Sequence, residues 1–266
     1  MLAPIVGKII VLGKKDAIIR NMKMVLGDGV EDNWQSLYHK HTAQLGLTII
    51  ESFQLATMSP ESLRRHLTLC GEEHLTTTLR EGRGVVLFVN HLGNLGFIGV
   101  ALALRGFDIT VTSNIIPLPY AENKIEELFD RCGAKRIVVG EAMVDAAARI
   151  LCRNAILASI VDYSVTAKHT AWIRFGRAEM EVSLAPAILA LRAKAPILWV
   201  DVTPLGRNHH VISILPSPLS KAGTGGTSAA QTIVQDALLH VTDELRKRPA
   251  QWWRWDYARL RPPPAS

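Results

Sequence analysis

The run Val85-Val86-Leu87-Phe88-Val89 constrains this chain more than any other stretch. Five consecutive apolar residues, mostly β-branched, have no polar face, so the run reads as a strand buried on both sides. It stops at Asn90-His91-Leu92-Gly93-Asn94, after which Leu95–Leu104 returns to helical character. A doubly covered strand that leads into a helix is the building unit of a parallel α/β sheet. Further strands are expected at Ile109–Thr112, Arg136–Val139, Ile156–Val161, Trp172–Phe175, Ile197–Thr203 and His210–Leu215. Helices are expected over 120–132, 141–153, 184–194 and 229–247. Residues 31–80 read as helical, with Leu37, His41, Leu45, Ile49, Ile50 and Phe53 at helical spacing and Ser59-Pro60-Glu61 as a helix start. The expected fold is therefore α/β: a central mixed, mostly parallel sheet flanked by helices. A helical N-terminal region (1–80) precedes the α/β domain (81–266). The Ser/Gly/Thr-rich stretch 217–228 reads as a surface loop.

At 266 residues, 48% hydrophobic and 20% charged, the chain is long and apolar enough for a core that needs neither disulfides nor metal. Its three cysteines, Cys70, Cys132 and Cys152, are widely spaced, which excludes a disulfide framework and points to a reducing cytoplasm. His39/His41 and His209/His210 lack ligand-spaced partners and read as surface or loop histidines, so no metal is expected. The net charge of +6 suggests an anionic partner. Residues 1–13 are apolar but shorter than the ~20 residues of a membrane span, and no cleavage site follows them. Two readings stay open for this stretch. It rests on a membrane surface, with Lys8, Lys14 and Lys15 toward anionic head groups, or it packs on the protein's own core.

His91 is the leading candidate for chemistry. It follows a buried strand at the edge where open α/β sheets build their sites, and an imidazole there can act as a general base. Backbone N–H groups of Gly93 and Asn94 could face an oxyanion. The plain alternative is a helix-capping histidine. Asp162 ends a strand and is either a support for His91 or a turn cap. Arg177, after Phe175-Gly176, is either an anion contact or a surface ion pair. Trp252, Trp253, Trp255 and Tyr257, interleaved with Arg254 and Arg259, suit a membrane interface or core packing equally. No nucleic-acid module is present. Gly223-Thr224-Gly225-Gly226 lacks a P-loop's Lys-Ser/Thr and reads as a loop, with an N-cap at Thr227 or Ser228. The absence of Gly-x-Ser-x-Gly disfavours a serine hydrolase.

Several motifs, in order, resemble those of the bacterial lipid A biosynthesis acyltransferases, a branch of the lysophospholipid acyltransferase superfamily marked by His-x4-Asp/Glu. Asn90-His91-Leu92-Gly93-Asn94-Leu95-Gly96 is similar to the family's His-x-Gly-Asn-Trp-Glu. Arg20-Asn21-Met22 resembles its Arg-x-Asn-Leu start, and Glu51 falls where its first helical region carries a glutamate. Gly140–Asp162 resembles the segment that ends in a strand and an Asp. Phe175-Gly176-Arg177 with Ala185-Pro186-Ala187, and Pro249-Ala250-Gln251-Trp252, resemble later motifs. The likeness spans roughly residues 20–260. It implies a glycerolipid acyltransferase-like fold with no prosthetic cofactor. It also implies transfer of an acyl group from an acyl carrier protein or coenzyme A thioester to a lipid or small-molecule acceptor. The protein would be cytoplasmic and peripheral on the inner membrane face. His91 and Asp162 would be catalytic, and Asn90, Gly93, Asn94, Gly96, Arg177 and Glu51 would bind substrate.

The chain departs from the family at the acid, where Gly96 stands, and Leu95 stands for the Trp. Three readings follow. Another carboxylate (Asp162, Glu51 or Glu179) reaches His91. A lone histidine suffices for an activated thioester. Or catalysis is lost and only acyl-carrier or lipid binding is kept.

Overall fold

The computed structural model describes residues 2–27, 33–114, 119–140, 143–163, 169–206, 208–218 and 226–264. The N-terminal region folds into α1 (Ala3–Ile10), α2 (Lys15–Leu26), α3 (Trp34–Ala56) and α4 (Pro60–His66). Local chemistry sets these starts. The Asn33 side chain accepts from Ser36 N–H at 2.9 Å and Ser59 Oγ accepts from Ser62 N–H at 3.2 Å, each satisfying an otherwise orphaned helix donor. α1 crosses α3 at Gly7 and Gly46, where an added methyl would collide with the other helix's backbone.

From there the chain alternates. In order come β1 (Leu67–Cys70), α5 (Glu72–Leu79), β2 (Val85–Val89), α6 (Ile98–Leu104), β3 (Ile109–Ser113), α7 (Pro119–Cys132), β4 (Lys135–Val138), α8 (Met143–Cys152) and β5 (Ile156–Ile160). Then follow β6 (Thr170–Phe175), β7 (Ala178–Ser183), α9 (Ala185–Ala193), β8 (Ile197–Pro204), β9 (His210–Pro216), α10 (Thr227–Lys247) and β10 (Leu260–Arg261). Seven strands form the central sheet in the order β1-β9-β8-β2-β5-β3-β4. Every pair in it is parallel except β8–β9. Helices cover both faces, and β2 shows why its sequence is apolar throughout. Val86 and Phe88 enter one core with α2, α9 and α10, while Val85, Leu87 and Val89 enter the other with α6 and α7.

The α/β expectation holds, with corrections in detail. Residues 31–80 are not helical throughout, because Leu67–Cys70 is a parallel edge strand on β9. Trp172–Phe175 does not join the central sheet. It belongs to a separate antiparallel sheet in the order β10-β7-β6. The expected N-cap at Thr227 or Ser228 shifts to Gly226, with Thr227 the first helical residue. Most of the 217–228 loop, including Gly223-Thr224-Gly225, lies outside the described residues, as do 141–142 of the expected 141–153 helix. His41 and His210 are buried, not surface histidines. His41 Nδ1 lies 3.0 Å from Ala250 O, and His210 sits beside Glu51. Among the described residues no helix is long and apolar enough to cross a membrane.

Candidate active site

β2 and β5 are parallel neighbours, so their carboxyl ends open at the same sheet edge. The ladder runs one step past both strands, with Val161 N–H donating to Val89 O at 2.9 Å. The next residue on one side is Asp162; on the other, Asn90 is followed by His91. Asp162 is fully buried and accepts three hydrogen bonds. His91 Nδ1 lies 2.8 Å from Oδ1, while Oδ2 accepts from His91 backbone N–H at 2.9 Å and from Trp252 Nε1–H at 2.7 Å. Burial by itself would raise the Asp162 pKa. The charge and hydrogen bonds of His91, with the Trp252 donor, outweigh it and hold the carboxyl below the usual range. An ionised carboxylate only accepts, so Nδ1 carries a proton, and whenever the ring is neutral the lone pair is on Nε2. Among the described residues Nε2 has no hydrogen-bond partner, and the ring lines a cavity of about 510 Å³. That volume lies within the roughly 300–1,000 Å³ typical of small-molecule sites.

The loop that carries His91 is held from three sides. Asn90 Nδ2 donates to buried Asp201 Oδ1 at 2.8 Å, and its Oδ1 accepts Leu92 N–H at 3.0 Å. His240 Nε2 meets the other Asp201 oxygen at 2.7 Å. The C-terminal segment straps the loop: Leu92 bridges Trp252, and Trp253 N–H donates to His91 O at 3.1 Å. Asn94 ties to α3, with Nδ2 3.4 Å from Thr48 O and Oδ1 accepting from Ser52 Oγ at 3.3 Å. Gly93 takes a left-handed φ of +70°, and a Cβ there would lie 2.5 Å from Val202 O, so only glycine fits. Its N–H reaches Gln251 O at 3.4 Å, which commits it to the strap and corrects the expectation of a free oxyanion donor.

The cavity is walled by α3 (Leu45, Ile49, Phe53), by Val89, Val111, Ala158 and Ile160 of the sheet, and by Ile125 and Phe129 of α7. Gly96 and Asn94 line it; Asn90 and Gly93 do not, and lie behind as supports. At Gly96 a Cβ would meet nothing nearer than Asn94 Oδ1 at 3.7 Å, so this glycine answers no backbone demand and leaves the wall open.

Of the three carboxylates weighed for His91, Asp162 makes the contact. Glu51 is buried elsewhere, with Oε1 accepting Asn208 N–H at 3.0 Å and Oε2 3.4 Å from His210 Nε2. Glu179 pairs with Arg261 at 2.7 Å. Arg177 lies exposed in the β6–β7 turn against Gly27, and is not part of the cavity wall. Sequence reasoning missed the role of Trp252, whose indole N–H completes the shell of Asp162. It also missed Tyr163, whose ring meets the His91 ring edge-on at 5.7 Å.

A family model for bacterial lipid A biosynthesis acyltransferase matches residues 2–260. The chain belongs to that family. Membership covers nearly the whole chain and supports acyltransferase activity in general. A comparison with curated proteins finds no match. Within the family's His-x4-Asp/Glu frame, this member places Gly96 at the acid position and meets the histidine with an acid from the adjacent strand.

Proposed function

We propose that the protein transfers a fatty acyl group from an acyl carrier protein or coenzyme A thioester to a hydroxyl or amine of a lipid or specialised metabolite, with His91 as general base. The observation that carries this reading is the His91–Asp162 contact of 2.8 Å at the wall of a largely apolar cavity. His91 Nε2 takes the acceptor proton as the acceptor oxygen or nitrogen bonds to the thioester carbonyl carbon. The tetrahedral intermediate collapses, the C–S bond breaks, and imidazolium returns the proton to the thiolate. Asp162 fixes the ring and offsets the imidazolium charge. The acyl tail occupies the apolar cavity, gaining about 0.8 kcal/mol per buried CH₂.

A cytoplasmic, membrane-peripheral site suits this chemistry. α1 exposes Ile5, Ile9 and Ile10, Leu2 just before it is exposed too, and Leu12 follows at 81% exposure, with Lys8 and Lys15 nearby. Ile10 also lines the His91 cavity, so the greasy surface and the cavity are continuous. That continuity favours delivery of a lipid from a bilayer surface.

The test is acyl transfer from carrier-protein and coenzyme A thioesters to extracted lipids, comparing the purified protein with His91→Ala. A loss of about 10²–10⁴-fold is expected. Equal turnover by both would remove His91 as base. Thioester binding without turnover by either would favour a binding-only homologue.

A further inference from the structure

Among the described residues three cationic side chains line the His91 cavity: Lys124, Arg136 and Arg254. Lys124 pairs with Glu127 at 2.6 Å, and Arg136 pairs with Glu122 and Glu126. Arg254 differs. Among the described residues no carboxylate lies within ion-pair reach of it. The carboxylate nearest in sequence, Asp256, is taken by Lys14 at 3.1 Å. Arg254 is instead held by rings, its guanidinium 4.3 Å from the Tyr163 centroid and 5.1 Å from that of Tyr257. Ring faces offset charge but accept little from N–H groups. Arg254 Nε is buried with no hydrogen-bond partner, and so is the indole Nε1 of Trp253, the adjoining residue of the same wall. Buried donors without acceptors are costly, and a charged one more so. A guanidinium on the wall of an apolar cavity, held by two rings and by no carboxylate among the described residues, is what an oxyanion completes.

We propose that Arg254 is a subsite for an anionic oxygen group, phosphate or carboxylate, on the molecule that enters the His91 cavity. Tyr163 joins the subsite to the chemistry. One face carries the guanidinium, and the same ring meets His91 at 5.7 Å. The anion is therefore about one aromatic ring away from the base. In a coenzyme A or carrier thioester the nearest phosphate is a full pantetheine arm from the reacting carbon. The acceptor is the better source: a molecule whose acylated hydroxyl or amine lies close to an acidic group. Naming the acceptor rests on the proposed acyl transfer; the anion subsite itself does not.

The probes are decyl phosphate, decanoate and decanol, titrated into the full-length protein by calorimetry. Both anions are expected to bind about ten- to a hundredfold tighter than decanol. Arg254→Gln should erase that preference and leave decanol affinity unchanged, while Arg254→Lys keeps part of it. Equal affinities in the unaltered protein, or a preference that survives Arg254→Gln, overturn the proposal. If Arg254→Gln also loses decanol, Arg254→Lys decides: retained decanol binding with partial anion preference supports the subsite, and loss of preference rejects it. A second pair of probes, decanoyl-coenzyme A and its N-acetylcysteamine thioester, separates the sources. Arg254→Gln should affect neither; selective weakening of the coenzyme A thioester would assign the anion to the donor and overturn the acceptor reading. An Arg254-dependent anion preference without turnover would leave the subsite standing and refute acyl transfer alone.

Discussion

Asp162→Asn is nearly isosteric, yet it should disable His91 for a reason set by the other two donors. Oδ2 accepts two N–H groups fixed by the fold, from the His91 backbone and the Trp252 indole, so the new amide must place its carbonyl oxygen there. Turning the amide over would set its NH₂ against both donors. Two unsatisfied buried donors at about 1–3 kcal/mol each put that flipped form about 2–6 kcal/mol higher. In the favoured form the NH₂ stands where Oδ1 now meets Nδ1 at 2.8 Å. Nδ1 must then accept, the ring proton moves to Nε2, and the base has no lone pair facing the cavity. Only the flipped minority stays competent, so turnover should fall about 30-fold to 10⁴-fold. Steady-state acyl transfer measures the loss, and nitrogen-resolved NMR of the His91 ring reads the tautomer. Turnover within threefold of the original, or a proton still on Nδ1 in the variant, would refute this reasoning.

Gly93→Ala should cost more than about 2 kcal/mol, since it adds a left-handed penalty to a clash with Val202 O, whereas Gly96→Ala should change stability by less than about 1 kcal/mol; urea denaturation compares them. For His240, burial lowers the pKa, but the hydrogen bond and charge of Asp201 outweigh it and raise the pKa above 6.5. A raised basic pKa stabilises the fold fully below the unfolded value and loses that stabilisation as pH rises through the folded value. His240→Gln should therefore flatten the decline in melting temperature above pH 6.5, measured by calorimetry across pH 5–9. Ile5→Glu with Ile9→Glu, both on exposed α1 positions, should leave melting unchanged and cut sedimentation with anionic vesicles at least about tenfold.

What was legible in the sequence follows the range of the interactions. β2 announces itself because both faces are buried and every residue is apolar. β7 does not, because Glu179 and Glu181 alternate with buried Ala178, Met180 and Val182, and glutamate disfavours strands. β1 hides because Leu67-Thr68-Leu69-Cys70 follows α4 without a breaker and takes its strand pairing from distant β9. At the site, His91 stands out by its place after β2. Its partner was one of three candidates, because Asp162 is 71 residues away and only the strand order sets β5 beside β2. Trp252 lies 90 residues from Asp162, and its indole donor gave no local signal. His210 looked like a loop histidine because its neighbour Glu51 lies on α3, far away in sequence.

The displaced acid has a consequence for Gly96. A carboxylate five residues after His91 would stand on the cavity wall, taking up space and bringing charge into an apolar chamber. Behind the loop instead, Asp162 incurs several kcal/mol of desolvation, offset by three donor bonds of about 1.5–3 kcal/mol each. With Nδ1 already engaged, restoring the family acid adds no second support. In Gly96→Glu, the one ring nitrogen left for the new carboxylate to hold is Nε2. That contact would tie the proton to the ring and occupy the place of the acceptor. Gly96→Glu should therefore lower turnover at unchanged melting temperature, most for the longest acyl chains that fill the narrowed cavity. A gain in turnover would mean that Asp162 is an incomplete substitute and that the dyad seen here is not the catalytic one.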